Sequence, residues 1–139
     1  MRVIRFTVNV APEGKARPRF YRRGNFVAAY TPKKTVTHEK MIYDAAAIAM
    51  LGRDLFVGAV GLSVKAFMPI PKSWSQKKRY AAMGGTLRPT GKPDIDNILK
   101  AIGDGMNNVV WADDKQIVTA HIEKFYSEKP RIEIMVEGE

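Results

Sequence analysis

The chain has 139 residues, with 23 Lys and Arg against 14 Asp and Glu, a net charge of +9 and no cysteine. That length suits one domain, 1–139, able to bury about two-thirds of its unfolded surface. The lack of cysteine excludes disulfides and thiolate metal sites and fits a reducing cytoplasm, and no apolar run approaches the ~20 residues of a membrane-spanning helix.

Residues 3–10 alternate, with Ile4, Phe6, Val8 and Val10 on one face and Arg5, Thr7 and Asn9 on the other. This is the period of a half-buried strand, not the apolar run of a signal peptide. Residues 11–34 form a basic arm in which Lys15, Arg17, Arg19, Arg22, Arg23, Lys33 and Lys34 are interleaved with Phe20, Tyr21, Phe26 and Tyr30. Its Pro and Gly residues oppose a helix, and Tyr21 to Tyr30 reads as a short hairpin turning at Gly24-Asn25. Such an arm suits DNA, with Arg on phosphates and aromatics on exposed bases. The plainer alternative is a solvated loop whose aromatics fold back onto the core.

The spacing predicts a helix over 35–51, capped by Thr35 or Thr37, with Met41, Ile42, Ala45, Ile48 and Ala49 inward. His38, in its first turn, reads as a surface or phosphate-contacting residue. Residues 59–68 alternate again, with Val60, Leu62, Val64, Ala66 and Met68 on one face, and Pro69 and Pro71 end this strand. Ser73 and Gln76 have capping-box spacing ahead of a short basic helix, Gln76 to Met83, which Gly84-Gly85 ends. Its Lys77, Lys78 and Arg79 are candidates to grip DNA, a solvated helix face being the alternative. Residues 86–93 read as a flexible lead into an acidic segment.

That segment, from Lys92 to Gln116, carries five aspartates in an otherwise basic chain: residues 1–92 hold 18 basic and 4 acidic side chains, residues 93–139 hold 5 and 10. Ile95, Ile98, Leu99, Ile102 and Met106 recur at helical spacing, so Asp94 or Asp96 stands at a helix start and Lys100 one turn beyond Asp96. Gly103, Gly105, Asn107 and Asn108 read as the helix end, and Asp113-Asp114 as the mouth of the next strand. Carboxylates gathered in this way repel unless a cation neutralises them, and with two His and no Cys the natural partner is a hard cation such as Mg²⁺. The plain alternatives are an N-cap worth about 1 kcal/mol, an i,i+4 surface pair worth about 0.3 kcal/mol, and a turn at Asp113-Asp114. Two strands, 117–126 and 131–137, close the chain, with His121 read as structural. The whole predicts an α+β fold, a single mixed sheet with flanking helices.

Asp94-Ile95-Asp96-Asn97-Ile98-Leu99-Lys100-Ala101, followed by Val109-Val110-Trp111-Ala112-Asp113-Asp114-Lys115-Gln116-Ile117, closely resembles the RusA family of Holliday junction resolvases. Lys15-Ala16-Arg17-Pro18-Arg19, Tyr30-Thr31-Pro32-Lys33-Lys34-Thr35 and the run Pro69 to Trp74 are similar to one branch of that family, with Ala16 standing where many related chains have glycine. The resemblance implies a RusA-like homodimer, a Mg²⁺-dependent endonuclease (with Mn²⁺ able to substitute) that cuts four-way DNA junctions by paired symmetric nicks in recombination and repair. It places that activity in the cytoplasm of a bacterial or phage-infected cell. It also implies that Asp94, Asp96 and Asp114 are metal-binding catalytic residues, with Asp113 a neighbouring candidate ligand, and that Lys100 is the catalytic lysine. Asp104 reads as structural. Two alternatives are a nuclease of the same fold acting on other branched or flap DNA, and a junction-binding protein without catalysis.

Overall fold

The computed structural model describes residues 1–16 and 18–139. In chain order the elements are β1 (Arg2–Val8), β2 (Arg19–Arg23), β3 (Phe26–Tyr30), α1 (Lys33–Met50), β4 (Val60–Pro69), α2 (Gln76–Met83), α3 (Ile95–Met106), a 3-10 turn (Asp114–Gln116), β5 (Ile117–Ser127) and β6 (Arg131–Gly138). The fold is α+β. Four strands form one mixed sheet in the order β1-β6-β4-β5, and β2 with β3 forms a separate two-stranded hairpin.

The alternating strands settle the inner face of the sheet. Val60, Leu62, Val64 and Ala66 of β4 are buried beside Ile132, Ile134 and Val136 of β6 and Ile4 and Val8 of β1. Ile42, Ala46 and Met50 of α1 and Ile98, Ile102 and Met106 of α3 complete this core, each large side chain contributing about 1.5–3 kcal/mol on burial. The strand pleat sends Arg5, Thr7, Ser63, Lys65, Glu133 and Met135 to the opposite face, where register sets Thr7 against Glu133 and Lys65 against Glu133.

β4 pairs with β5 in parallel and with β6 antiparallel. A parallel neighbour requires a long crossover, and here residues 70–116 supply it. That crossover carries α2 and α3 and returns the chain at Asp114, beside the start of β5. β5 is left as an edge strand: Val118 is 69% exposed. His121, read as structural, is exposed, with its Nε2 3.1 Å from the Glu123 carboxylate.

Several local expectations are corrected. α1 starts at Lys33 with Pro32 at its cap position and no side-chain cap. Thr35 lies inside the helix, buried, and Thr37 is exposed. The inward stripe is Thr35, His38, Ile42, Ala46 and Met50, so Met41 is exposed, Ile48 is 74% exposed, and His38 is buried rather than set on the surface. Ser75, not Ser73, caps α2 by accepting from the Lys78 N–H at 3.3 Å, because Pro71 to Trp74 is already spent on a turn closed by the Trp74 N–H to the Pro71 carbonyl.

Gly103 and Gly105 do not end α3 but lie buried within it. A Cβ at Gly105 would come 3.0 Å from Ile42 Cγ2 and 3.2 Å from the Glu39 carbonyl, so the missing side chain is what lets α1 and α3 touch. The lead over 86–93 is not free either: Arg88 donates to the Lys124 carbonyl at 2.6 Å and lies 4.0 Å over the Phe125 ring, and Lys124 donates to the Gly91 carbonyl at 2.6 Å.

Candidate functional site

α3 has a strongly one-sided apolar stripe, so packing Ile98, Ile102 and Met106 inward turns Lys100 out and leaves Asp104 half-buried. Asp94 is the cap residue of this helix, with extended backbone (φ −69°, ψ 154°) and no side-chain capping bond. Asp96 opens the first turn, exposed. Among the described residues neither carboxylate has an ion-pair partner. Ile95, predicted inward, is exposed at this end of the helix.

The far end of the crossover supplies Asp114. Trp111 is fully buried and its indole N–H donates to Asn107 at 2.8 Å, fixing the chain just past α3. Gln116 then clamps the acidic pair. Its amide N–H₂ donates to the Phe56 and Gly58 carbonyls, both at 3.0 Å, and its carbonyl accepts from the N–H groups of Ala112 at 3.0 Å and Asp113 at 3.2 Å. Asp113 caps the 3-10 turn by accepting from the Lys115 N–H at 2.9 Å. That backbone bond, then the contact with Asp114, holds the Asp113 carboxyl below its ordinary value. The sequence made Asp113 a candidate ligand; in the fold one of its oxygens is committed to the turn, and Asp114 faces α3.

A Cβ at Gly103 would lie 3.1 Å from Asp114 Cβ and 3.2 Å from its Oδ2, so only glycine lets the carboxylate rest against the helix. There Lys100 Nζ lies 3.3 Å from Asp114 Oδ2 and 3.1 Å from Asp104 Oδ1. Asp104 reaches back through its other oxygen to Lys15 Nζ at 3.3 Å, and Lys15 also pairs with Glu39 of α1. The result is an alternating ladder: Glu39, Lys15, Asp104, Lys100, Asp114. The hydrogen bond that Lys100 donates to Asp104, ahead of the one it donates to Asp114, raises its ammonium above the ordinary value. Partial burial opposes the charge on Lys15, but Glu39 and Asp104 outweigh it and raise that ammonium too.

The ladder places the sequence candidates. Lys15, expected on DNA, is held internally by two carboxylates at the root of the arm, where its backbone N–H also donates to the Asn97 carbonyl at 3.3 Å. Arg19, Arg22 and Arg23 stand exposed on the hairpin, as do Lys33 and Lys34 in the first turn of α1 and Lys77 and Lys78 on α2. Lys78 lies 4.1 Å over the Trp74 ring. Arg79 is partly held by the Pro71 carbonyl at 3.1 Å and by Glu128 at 3.8 Å. Arg17 lies outside the described residues. Asp104, Glu39, Gly103 and Gln116 were missed as parts of the site. Only Gln116 carried a signal, its position just after the acidic pair.

Asp96, Lys100 and Asp114 line one open cleft of ≈ 380 Å³, walled by Ile117, Val118, Thr119 and Ala120 of β5. Among the described residues no three Asp, Glu or His side chains converge closely enough to hold a metal ion by themselves, so the expected knot of three packed carboxylates is not present. The donors are nonetheless all oxygen, and the cleft is open. That fits a hard cation bound by a few carboxylates and completed by water and phosphate oxygens, as Mg²⁺ commonly is.

An α+β chain with an open cleft holding two aspartates and a lysine, and with exposed arginines on a separate hairpin, has the parts of a nuclease that brings a polyanion to carboxylates. The family model described as Endodeoxyribonuclease RusA matches residues 9–137, and the chain belongs to that family of phosphodiester-cutting enzymes. A Bacillus subtilis (strain 168) chain described as "Uncharacterized protein YqaN" is 39% identical to it over 140 residues, spanning 98% of this chain and 96% of that one.

Proposed function

We propose that the protein is a Mg²⁺-dependent resolvase that binds four-way DNA junctions and cuts them by paired symmetric nicks, serving DNA recombination and repair in the cytoplasm. The observation that carries this reading is the juxtaposition of Lys100 with Asp114, 3.3 Å apart, in a cleft that also holds Asp96, on the helix that Asp94 begins as its cap residue. Membership of the RusA family supports the junction as substrate.

Asp94, Asp96 and Asp114 would hold the cation, which when bound supplies an activated water and offsets charge on the phosphate. Mn²⁺ would substitute, being another hard ion for oxygen donors. Asp113 is assigned to capping the turn rather than to the metal. Lys100, its ammonium raised by Asp104 and Asp114, stays charged at neutral pH and so acts as a cation and hydrogen-bond donor toward the phosphate or leaving oxygen, not as a base. The ladder behind it keeps that charge on one side of the cleft. Arg19, Arg22, Arg23, Lys33, Lys34, Lys77 and Lys78 bind the arms of the substrate through phosphates. A four-way junction has two-fold symmetry and needs two nicks, which a C₂ homodimer with two clefts provides.

The test is cleavage of an end-labelled immobile four-way junction, with duplex and flap controls, in Mg²⁺, Mn²⁺ or EDTA. The expected result is paired symmetric nicks that need the cation, reduced to background by Asp94→Asn while junction binding is kept or tightened, because a negative charge near phosphate is removed. Cutting of flaps alone would keep the cleft and change the substrate, and tight binding with no nick under any cation would make the chain a binding protein.

A further inference from the structure

The hairpin β2–β3 is an unusual object for a chain of this size. A lone two-stranded hairpin is marginal in water. Here neither strand packs substantially on another element among the described residues. Phe20 is 72% and Phe26 68% exposed, and Tyr21, Val27 and Tyr30 are exposed as well. The aromatics do not fold back onto the core.

The register sorts them into two faces. Arg19 lies opposite Tyr30, Tyr21 opposite Ala28 and Arg23 opposite Phe26, and directly opposed residues share a face. One face therefore carries Tyr30, Tyr21 and Phe26 in a zigzag between Arg19 and Arg23, with only an alanine to fill the remaining position. Tyr21 and Tyr30 have centroids 6.1 Å apart and planes tilted by 55°, so they do not stack on each other and each leaves a π-face open. Successive rows on one face of a strand are about 6.6–6.8 Å apart, close to two steps of the 3.4 Å rise per nucleotide.

Resting on the reading of the chain as a junction-cutting nuclease, we infer that the Tyr21–Phe26–Tyr30 face of the hairpin binds a DNA strand by stacking on bases whose faces are exposed, as they are where strands part at a branch point, and so selects branched over continuous duplex DNA. Open aromatic faces interleaved with arginine are the composition of a single-strand platform. Paired bases hide their faces, and a ribbon that read a duplex groove would set its hydrogen-bonding side chains along the middle of the face, whereas here Arg19 and Arg23 lie in the end rows and the middle row is Tyr21 and Ala28. A second copy of the hairpin does not fit the face, since the segment Arg19 to Tyr30 holds three arginines and no acid and two copies would repel. The platform also starts near the cleft. From Lys15, anchored to Asp104, the chain reaches Arg19 in four residues, at most ~14 Å.

The experiment measures the affinity of the full chain for fluorescein-labelled oligo-dT and for a blunt duplex of equal length, in EDTA at fixed salt, by anisotropy. Wild type should bind the single strand more tightly than the duplex. Tyr21→Ala/Tyr30→Ala should lose roughly 5- to 150-fold in single-strand affinity per ring, the range for a base stacked on an aromatic side chain, with duplex affinity and thermal melt unchanged. Tyr21→Phe/Tyr30→Phe should restore it, since stacking needs no hydroxyl, whereas Arg22→Ala, on the other face, should weaken both ligands alike. The inference is overturned if wild type binds duplex as tightly as single strand, or if the double alanine variant keeps its preference. Because no cation is present, a single-strand preference without junction cutting would sink the nuclease reading alone, and junction cutting without the preference would sink this one alone.

Discussion

Asp104 is the residue on which the cleft turns. It lies two helical turns beyond Asp96, half-buried, and its two oxygens are shared between Lys15 and Lys100. Removing its charge leaves Lys15 with Glu39 and Lys100 with Asp114 alone. Since Asp104 is the main cause of the raised Lys100 ammonium, Asp104→Asn should lower that value and bring the alkaline fall in cutting rate to lower pH. The single-turnover rate should drop about 10- to 100-fold, as for other residues that orient a catalytic group, with junction affinity nearly unchanged. The pH–rate profile decides the matter. A rate loss with no movement of its alkaline limb would mean that Asp104 only supports the fold. Nothing in the spacing of Asp104 reveals this role, because its two partners come from the arm before α1 and from the same helix, and only folding brings them to one carboxylate.

At the scale of elements, the cleft depends on how the two ends of a crossover are held. Gln116 uses all four of its hydrogen-bonding directions to pin the Asp113-Asp114 turn to the Phe56–Gly58 connection. Gln116→Ala should cost about 1–3 kcal/mol of unfolding free energy and slow cutting under conditions where the variant is fully folded. Denaturant melts and single-turnover cleavage measure the two effects separately, and a stability loss without a slower cut would show that the clamp does not position Asp114. The sequence made the strands legible because Val60 to Ala66 and Ile132 to Val136 alternate cleanly, and it made the hairpin legible because Gly24-Asn25 interrupts two aromatic runs. The inward face of α1 was not legible: alanines at 45, 46, 47 and 49 fit either side of a helix, and the decisive contacts at Thr35 and His38 are polar. Gly103 and Gly105 read as breakers for a related reason, since the groups they let approach α3, Asp114 at Gly103 and Ile42 with the Glu39 carbonyl at Gly105, come from other elements. The acidic cleft was readable as a set of residues but not as a geometry. The carboxylates do not crowd together: Lys100 stands between Asp104 and Asp114, while Asp94 and Asp96 form no ion pair among the described residues.

For the whole molecule, stability should carry a pH signature from one residue. His38 is 3% exposed and, among the described residues, neither ring nitrogen has a hydrogen-bond partner. Burial lowers its imidazole below 6.5, Glu13 and Glu39 oppose that, and Lys34 adds to it. The unfolded chain therefore binds this proton at a higher pH than the folded one, and stability rises with pH across the window between them. The neutral imidazole's contribution is complete above about 6.5 and is lost as pH falls below it. The midpoint of urea unfolding should drop between about pH 7.5 and pH 5.5, and His38→Leu should flatten that drop. An equally steep drop in the variant would assign it to the carboxylates instead.

The parallel pairing of β4 with β5 has one more consequence, in the order in which the molecule is made. The arginines of the hairpin are complete by residue 30, but Asp114 is fixed only when the chain beyond the crossover has paired alongside β4, and β6 must then enter between β4 and β1. A chain leaving the ribosome therefore displays the basic hairpin before its acidic cleft can assemble. A product stalled before β5 and β6 would carry the basic hairpin without the assembled cleft.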